Sequence, residues 1–140
     1  MRMCSLAMSK LLLESGIEPI MQISCRDRNK IAIQSDILGA NALGIKNILC
    51  ITGDSVKAGD QQETKAVHEF EAVRLLKQIQ SFNQGIDPTF EQLPDKSTKI
   101  FSGAAVDPSC RNQRSLKIRT IKKKEAGANF LQTQIVMDRQ

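Results

Sequence analysis

Apolar positions recur along the chain with two alternating periods. In residues 3–15, Met3, Leu6, Ala7, Leu11 and Leu13 fall at roughly helical spacing, and Gly16 follows. A glycine in that place ends a helix by adopting positive φ, where a Cβ would clash. The run Ile17-Glu18-Pro19-Ile20-Met21-Gln22-Ile23-Ser24 then reads as a strand. Residues 28–43 return to the helical period through Ile31, Ile33, Ile37, Leu38 and Leu43, and Gly44 closes them. Residues 45–51 form a second apolar strand that runs into Thr52-Gly53-Asp54. A polar loop to about Glu63 precedes a third helix, predicted over 64–82 through Val67, Phe70, Val73, Leu75, Leu76 and Ile79. Residues 83–97 hold Gly85, Pro88 and Pro94 and read as a long loop. A third strand over 99–106, a basic helix over 111–126, Gly127 and a fourth strand over 129–136 complete the pattern.

The chain thus repeats one unit: helix, glycine, short strand. Glu14-Ser15-Gly16-Ile17, Ala42-Leu43-Gly44-Ile45 and Glu125-Ala126-Gly127-Ala128 show it directly. Strands separated by helices are most simply parallel, joined by right-handed crossovers. The strands are mostly apolar on both faces, which predicts a sheet covered on both sides. Two α/β architectures fit the periodicity, an open parallel sheet and half of a (β/α)₈ barrel. The length of 140 residues suits one domain but not a whole barrel, which takes about 250 residues.

Composition narrows the classes. No strictly apolar run exceeds the four residues Ile48-Leu49-Cys50-Ile51, so no membrane span is expected. The N-terminus is amphipathic rather than a continuous apolar run, so no secretory signal is expected either. The four cysteines, Cys4, Cys25, Cys50 and Cys110, lie far apart without a CxxC pair. That spacing gives no support to a zinc site; Cys25 and Cys50 read as buried packing in a reduced, cytoplasmic protein. The net charge is +5, and seven basic residues lie between Arg111 and Lys124 with no acid among them. Such a run could meet nucleic acid or polyphosphate, or be a solvated helix face. The chain has no Trp or Tyr, so base stacking, and with it nucleic acid, is disfavoured.

Ligands in parallel α/β folds bind at the C-terminal ends of the strands. Those ends carry Gln22, Ser24, Cys25, Arg26 and Asp27; then Thr52, Gly53 and Asp54; then Asp107 and Pro108; and last Thr133, Gln134 and Asp138. Asp54 could accept a substrate hydrogen bond or tune a cofactor, although Gly and Asp are also ordinary turn residues. Gln134 could donate and accept toward a planar heterocycle, or satisfy nearby backbone. The sole histidine, His68, lies near the predicted start of the third helix without a nucleophilic partner in the pattern. No Walker loop and no GxGxxG is present.

These residues carry a resemblance. Gly16-Ile17-Glu18-Pro19-Ile20-Met21-Gln22-Ile23-Ser24-Cys25-Arg26-Asp27-Arg28-Asn29 resembles a strand segment of methylenetetrahydrofolate reductases, closest to the subgroup carrying Cys-Arg-Asp-Arg-Asn. Residues 40–54, 103–108 and 125–134 resemble three further segments, in order and in register. The resemblance implies four middle strands of a (β/α)₈ barrel in one truncated domain over 1–140, with FAD at the strand C-termini. It implies reduction of 5,10-methylenetetrahydrofolate to 5-methyltetrahydrofolate, with NAD(P)H or another electron donor.

Carried over residue by residue, the resemblance puts Thr52, Gly53 and Asp54 beside the flavin, and Asp54 also at the folate pterin. It puts Gln134 on the folate and Gln22 at a flavin-contacting strand position. His68 falls where an aromatic packs near the cofactor, Asp107 where His or Asn is usual, and Lys123 near the FAD phosphates. Asp54 and Gln134 are the expected catalytic pair. The family's general-acid glutamate lies in a unit with no counterpart here, and Lys124 stands where the family has an apolar residue. A half barrel leaves two open edges, so self-association or a complementing chain is expected.

Overall fold

The computed structural model describes residues 3–87 and 97–137. Among them α1 (Ser5–Glu14), β1 (Ile20–Ser24), α2 (Lys30–Ala42), β2 (Asn47–Ile51), α3 (Ala72–Asn83), β3 (Phe101–Val106), α4 (Gln113–Glu125) and β4 (Phe130–Thr133) alternate along the chain. Each helix ends in the same way. The N–H groups of Ile17, Ile45, Ile86 and Ala128 reach back to the carbonyls of Leu12, Ala40, Ser81 and Lys123. The residue before each is a glycine at positive φ: Gly16, Gly44, Gly85 or Gly127. This is the Schellman closure, and it turns the chain toward the next strand. Helix starts are more varied. Asn29 and Asn112 accept from the N–H of Ala32 and Ser115 and cap α2 and α4.

The four strands are all parallel and lie in the order β1-β2-β3-β4. That order decides between the two architectures. Right-handed crossovers that always step to the same side put every helix on one face, whereas a doubly wound sheet needs a reversal. Burial follows the same logic. Met21, Ile23, Ile48, Cys50 and Ala104, all of one strand parity, join Ile33, Ile37, Leu75, Leu76, Ile79 and Phe82 from the helices in one core. The opposite parity is the concave interior of a barrel of which four strands are present. It is largely open: Ile20 and Phe101 are 50% and 49% exposed. The predicted cover on both faces is therefore corrected, because the second face awaits other strands rather than helices.

On that interior face Phe101 and Phe130 stack with ring centroids 5.5 Å apart. The Phe130 ring lies over Gly103, where a Cβ would overlap it. At the strand N-termini Asn83 takes the place of a neighbouring strand. Its side chain accepts from the Ile100 N–H at 3.0 Å and donates to the Ile100 carbonyl at 2.9 Å.

The pattern overstated some elements. β1 starts at Ile20, not residue 17, since Pro19 has no N–H to give the ladder. The third helix starts at Ala72 rather than 64. Val67 and Phe70 sit at helical spacing, but the N–H groups of Val67 and His68 go to the Arg26 carbonyl, and Phe70 inserts into the core. The polar loop contains a short 3₁₀ turn, Val56–Ala58. β4 ends at Thr133 rather than 136, and Pro88, Pro94 and Asp138 lie outside the described residues.

Candidate functional site

The C-terminal ends of β2, β3 and β4 and one face of α4 border two adjoining clefts of about 390 and 250 Å³. The larger is lined by Thr52, Gly53, Asp54, Arg26, Lys123 and Gln134 among others. The smaller shares Lys123 and Gln134 and adds Asp107, Cys110 and Arg119. Six of the eight site residues expected from the sequence therefore converge: Thr52, Gly53, Asp54, Asp107, Lys123 and Gln134.

Gly53 has φ +92°, a region that costs an L-residue about 1–2 kcal/mol. A Cβ there would also overlap Ser24 Oγ and approach the Arg26 Cβ to 2.7 Å. The turn that presents Asp54 thus depends on a missing side chain. The Thr52 Oγ1 accepts from the Ala72 N–H at 3.3 Å. It supplies the cap that α3 lacks from its own sequence, since Glu71 makes none. Asp54 is exposed at the cleft, and its carbonyl accepts from the Arg26 guanidinium at 3.4 Å.

The Gln134 N–H donates to the Val106 carbonyl at 2.9 Å, which carries the β3–β4 pairing one residue past the strand and holds the side chain at the rim. Asp107 is engaged locally: one oxygen accepts from the N–H and hydroxyl of Ser109, at 3.0 and 2.6 Å. Asp107 lines the smaller cleft.

Lys123 is half-buried, and its Nζ donates to the Ala105 carbonyl at 2.6 Å. Burial, and then the charge of Arg119 one helical turn away, lower its pKa. A group held charged at such a cost favours an anionic neighbour. Lys122 and Lys124 are exposed, and all three lysines stand in the last turn of α4, where cations complement the helix dipole. Lys124 stays at the surface, so the charge does not disturb the core.

Two expected residues do not reach the clefts. Gln22 lies on the interior face of β1, one alternation below Ser24, and is exposed there. His68 lies in the segment before α3 with φ 46°, exposed and four residues short of the helix it was expected to open.

The structure adds Arg119 and Cys110 to the rim, and Arg26, expected there from the end of the first strand, lines the larger cleft. Arg26 grips both oxygens of Asp27 at 2.6 and 2.8 Å, and the hydrogen bond holds the Asp27 carboxyl below its usual range. The Cys-Arg-Asp-Arg-Asn run is thereby explained from within. Cys25 is core, Arg26 and Asp27 pair, Arg28 bonds Asp36 at 2.6 Å and Asn29 caps α2. Arg119 lies 3.2 Å from the Cys110 sulfur. Its i, i+4 spacing from Lys123 in a basic helix was the signal that could have found it.

Burial, then the charge of Glu71, pushes the Cys25 thiol up to about 11; burial, then Cys25, pushes Cys50 higher still. Both are protonated at neutral pH and serve packing, as their pattern predicted. No described helix is long and apolar enough to cross a membrane.

Comparison with known proteins agrees with this geometry. A search of curated proteins returned no match. The family described as Methylenetetrahydrofolate reductase, whose members are barrels of this kind, matches residues 1–140. One-sided helices, sequential parallel strands and a polar rim at the strand C-termini are what such a barrel requires, and the chain belongs to the methylenetetrahydrofolate reductase family.

Proposed function

We propose that this chain carries the flavin- and folate-binding rim of a reductase that converts 5,10-methylenetetrahydrofolate to 5-methyltetrahydrofolate. The family is one of oxidoreductases acting on folate. The observation that carries the reading for this chain is the convergence of Thr52, Gly53, Asp54, Lys123 and Gln134 on one cleft from two strand ends and a helix.

The donor set fits FAD. Lys123 and Arg119 bring two cations to the smaller cleft, matching a pyrophosphate, and the Gly53 turn leaves backbone close to the rim. When bound, the flavin supplies hydride transfer, with NAD(P)H or another donor restoring it. The chain's own residues bind and orient. Asp54 is an exposed carboxylate that accepts hydrogen bonds from the donor-rich edge of a pterin. Gln134 offers a carbonyl and an amide to the same heterocycle, held by its backbone bond to β3. Thr52 fixes the turn by bonding α3 rather than by touching substrate.

Flavin-loaded protein, reduced under anaerobic conditions and mixed with 5,10-methylenetetrahydrofolate, tests this. Reoxidation of the visible flavin band is expected, slowed at least tenfold by Asp54→Asn. Flavin that binds but is never reoxidised by the folate would favour a second reading, a flavin- and folate-binding module without turnover. The open interior face gives that reading its footing.

A further inference from the structure

Arg26 joins three stretches of chain at the rim. Its side chain is fixed first by Asp27: Nε and Nη2 donate to the two carboxylate oxygens at 2.6 and 2.8 Å. A two-point bond of this kind sets the plane of the guanidinium as well as its place. Nη1 is left directed at the turn after β2, where it donates to the Asp54 carbonyl at 3.4 Å. The guanidinium is kept charged by the Asp27 hydrogen bond, then by the Asp27 charge, and, against the cost of burial, by the charge of Asp54. It therefore attracts the Asp54 carboxylate besides meeting its backbone.

The backbone of the same residue meets the far end of the loop that Asp54 opens. The Arg26 carbonyl accepts from the N–H groups of Val67 and His68 at 2.8 and 3.4 Å. Between these anchors, residues 55–66 carry turns of their own, with Ala58 bonded to Ser55, Gly59 to Val56 and Thr64 to Gln61. One residue thus holds both ends of a surface loop of the Ω type. The two ends are held unequally. Beyond Val67, Glu69 accepts from the Lys30 N–H at 2.7 Å, Phe70 is buried and the Thr52 hydroxyl caps α3. At the other end Asp54 depends on the Arg26 side chain. Gly53 admits that side chain, since a Cβ there would come within 2.7 Å of the Arg26 Cβ.

We propose that Arg26, locked by Asp27, is the positioning residue of Asp54: it holds that carboxylate at the cleft and closes the loop over 55–66 at both ends. Asp27 lines neither cleft, so its influence on the site passes through Arg26. The fork of the guanidinium is essential. A lysine would keep the charge but could not grip both Asp27 oxygens and reach the Asp54 carbonyl together. What Asp54 then does to a folate rests on the proposed function; the closure of the loop does not.

Two readouts on the full chain test it. Lys57 and Lys65 are exposed trypsin sites within the loop. Asp27→Asn and Arg26→Lys should each speed cleavage there several-fold, with cleavage after Lys122 and Lys124 and the circular dichroism spectrum unchanged. In anaerobic reoxidation of bound flavin by 5,10-methylenetetrahydrofolate, both variants should slow the rate several-fold while FAD affinity stays near wild type. Asp27→Asn should slow no further a chain that already carries Asp54→Asn, whereas a merely loosened fold would weaken FAD and slow both backgrounds alike. Wild-type protein whose flavin the folate never reoxidises would remove the functional reading, and the trypsin result would then decide the proposal alone. Unchanged cleavage at Lys57 and Lys65 in either variant, an undiminished reoxidation rate, or equal slowing in both backgrounds would overturn it.

Discussion

α3 and α4 occupy successive places in one helical layer, and their side chains are spent differently. α3 buries Ala72, Leu75, Leu76, Gln78, Ile79 and Phe82. α4 buries none of its residues and presents a row of cations, with Lys123 bent inward to the rim. α3 is flanked by α2 and α4, whereas α4 has a described neighbour on one side only. The contrast separates two demands on the same unit. Where helices close over the sheet, sequence is fixed by packing; where the described layer ends, it is free to carry charge.

The largest effect that could break this contrast is a truncation in each helix. Leu76→Ala in α3 should cost about 2–5 kcal/mol in urea unfolding, from lost transfer energy and a residual cavity. Ile121→Ala in α4 should cost less than about 1 kcal/mol, since that side chain is 43% exposed. Equal costs would mean that α4 is packed as tightly as α3.

Next in size is the turn that follows β2 on the way to α3. Gly53→Ala should lower stability by about 1–3 kcal/mol, through positive φ and the overlap with Ser24 and Arg26. It should also weaken flavin binding more than Gly59→Ala, which meets no contact closer than 3.4 Å.

The two regions also differ in their alkaline response. The buried Cys25 thiol titrates near 11 when folded and near 9.0 when unfolded. The unfolded chain therefore releases that proton first, and the stability Cys25 contributes is full below pH 9.0 and lost as pH rises through about 11. Cys25→Ala should flatten that loss. Lys123 has the opposite sign. Its folded pKa is lowered, so stability rises with pH just below the ordinary lysine value, and Lys123→Met should remove this smaller gain. Denaturant midpoints across alkaline pH check both.

Much of the fold was legible because glycine marks it. Gly16, Gly44 and Gly127 each sit where a helix must turn into a strand, and each takes positive φ. Strand order was not legible, because hydrophobic period records which face is buried and not which way the crossover steps. The one-sided layer followed only from the order β1-β2-β3-β4. Val67 and Phe70 misled because an extended segment that buries one aromatic can mimic helical spacing.

The site was legible where a motif ends a strand, as at Thr52-Gly53-Asp54, and where Lys123 and Gln134 fall in register. Arg26 was legible as a polar residue at the end of the first strand, but its partners were not. Its reach to the Asp54 carbonyl exists only once β1 and β2 are adjacent.

The central claim is that the rim around Lys123, Asp54 and Gln134 is a flavin site. The most direct test is an FAD titration of the purified chain followed by visible absorption. The account predicts saturable binding with a shifted flavin band. Lys123→Met should weaken it roughly tenfold, the worth of one charge-assisted hydrogen bond, and the exposed neighbour Lys122→Met should leave it nearly unchanged. A folded chain that leaves the flavin spectrum untouched, or equal effects of the two lysines, would contradict it.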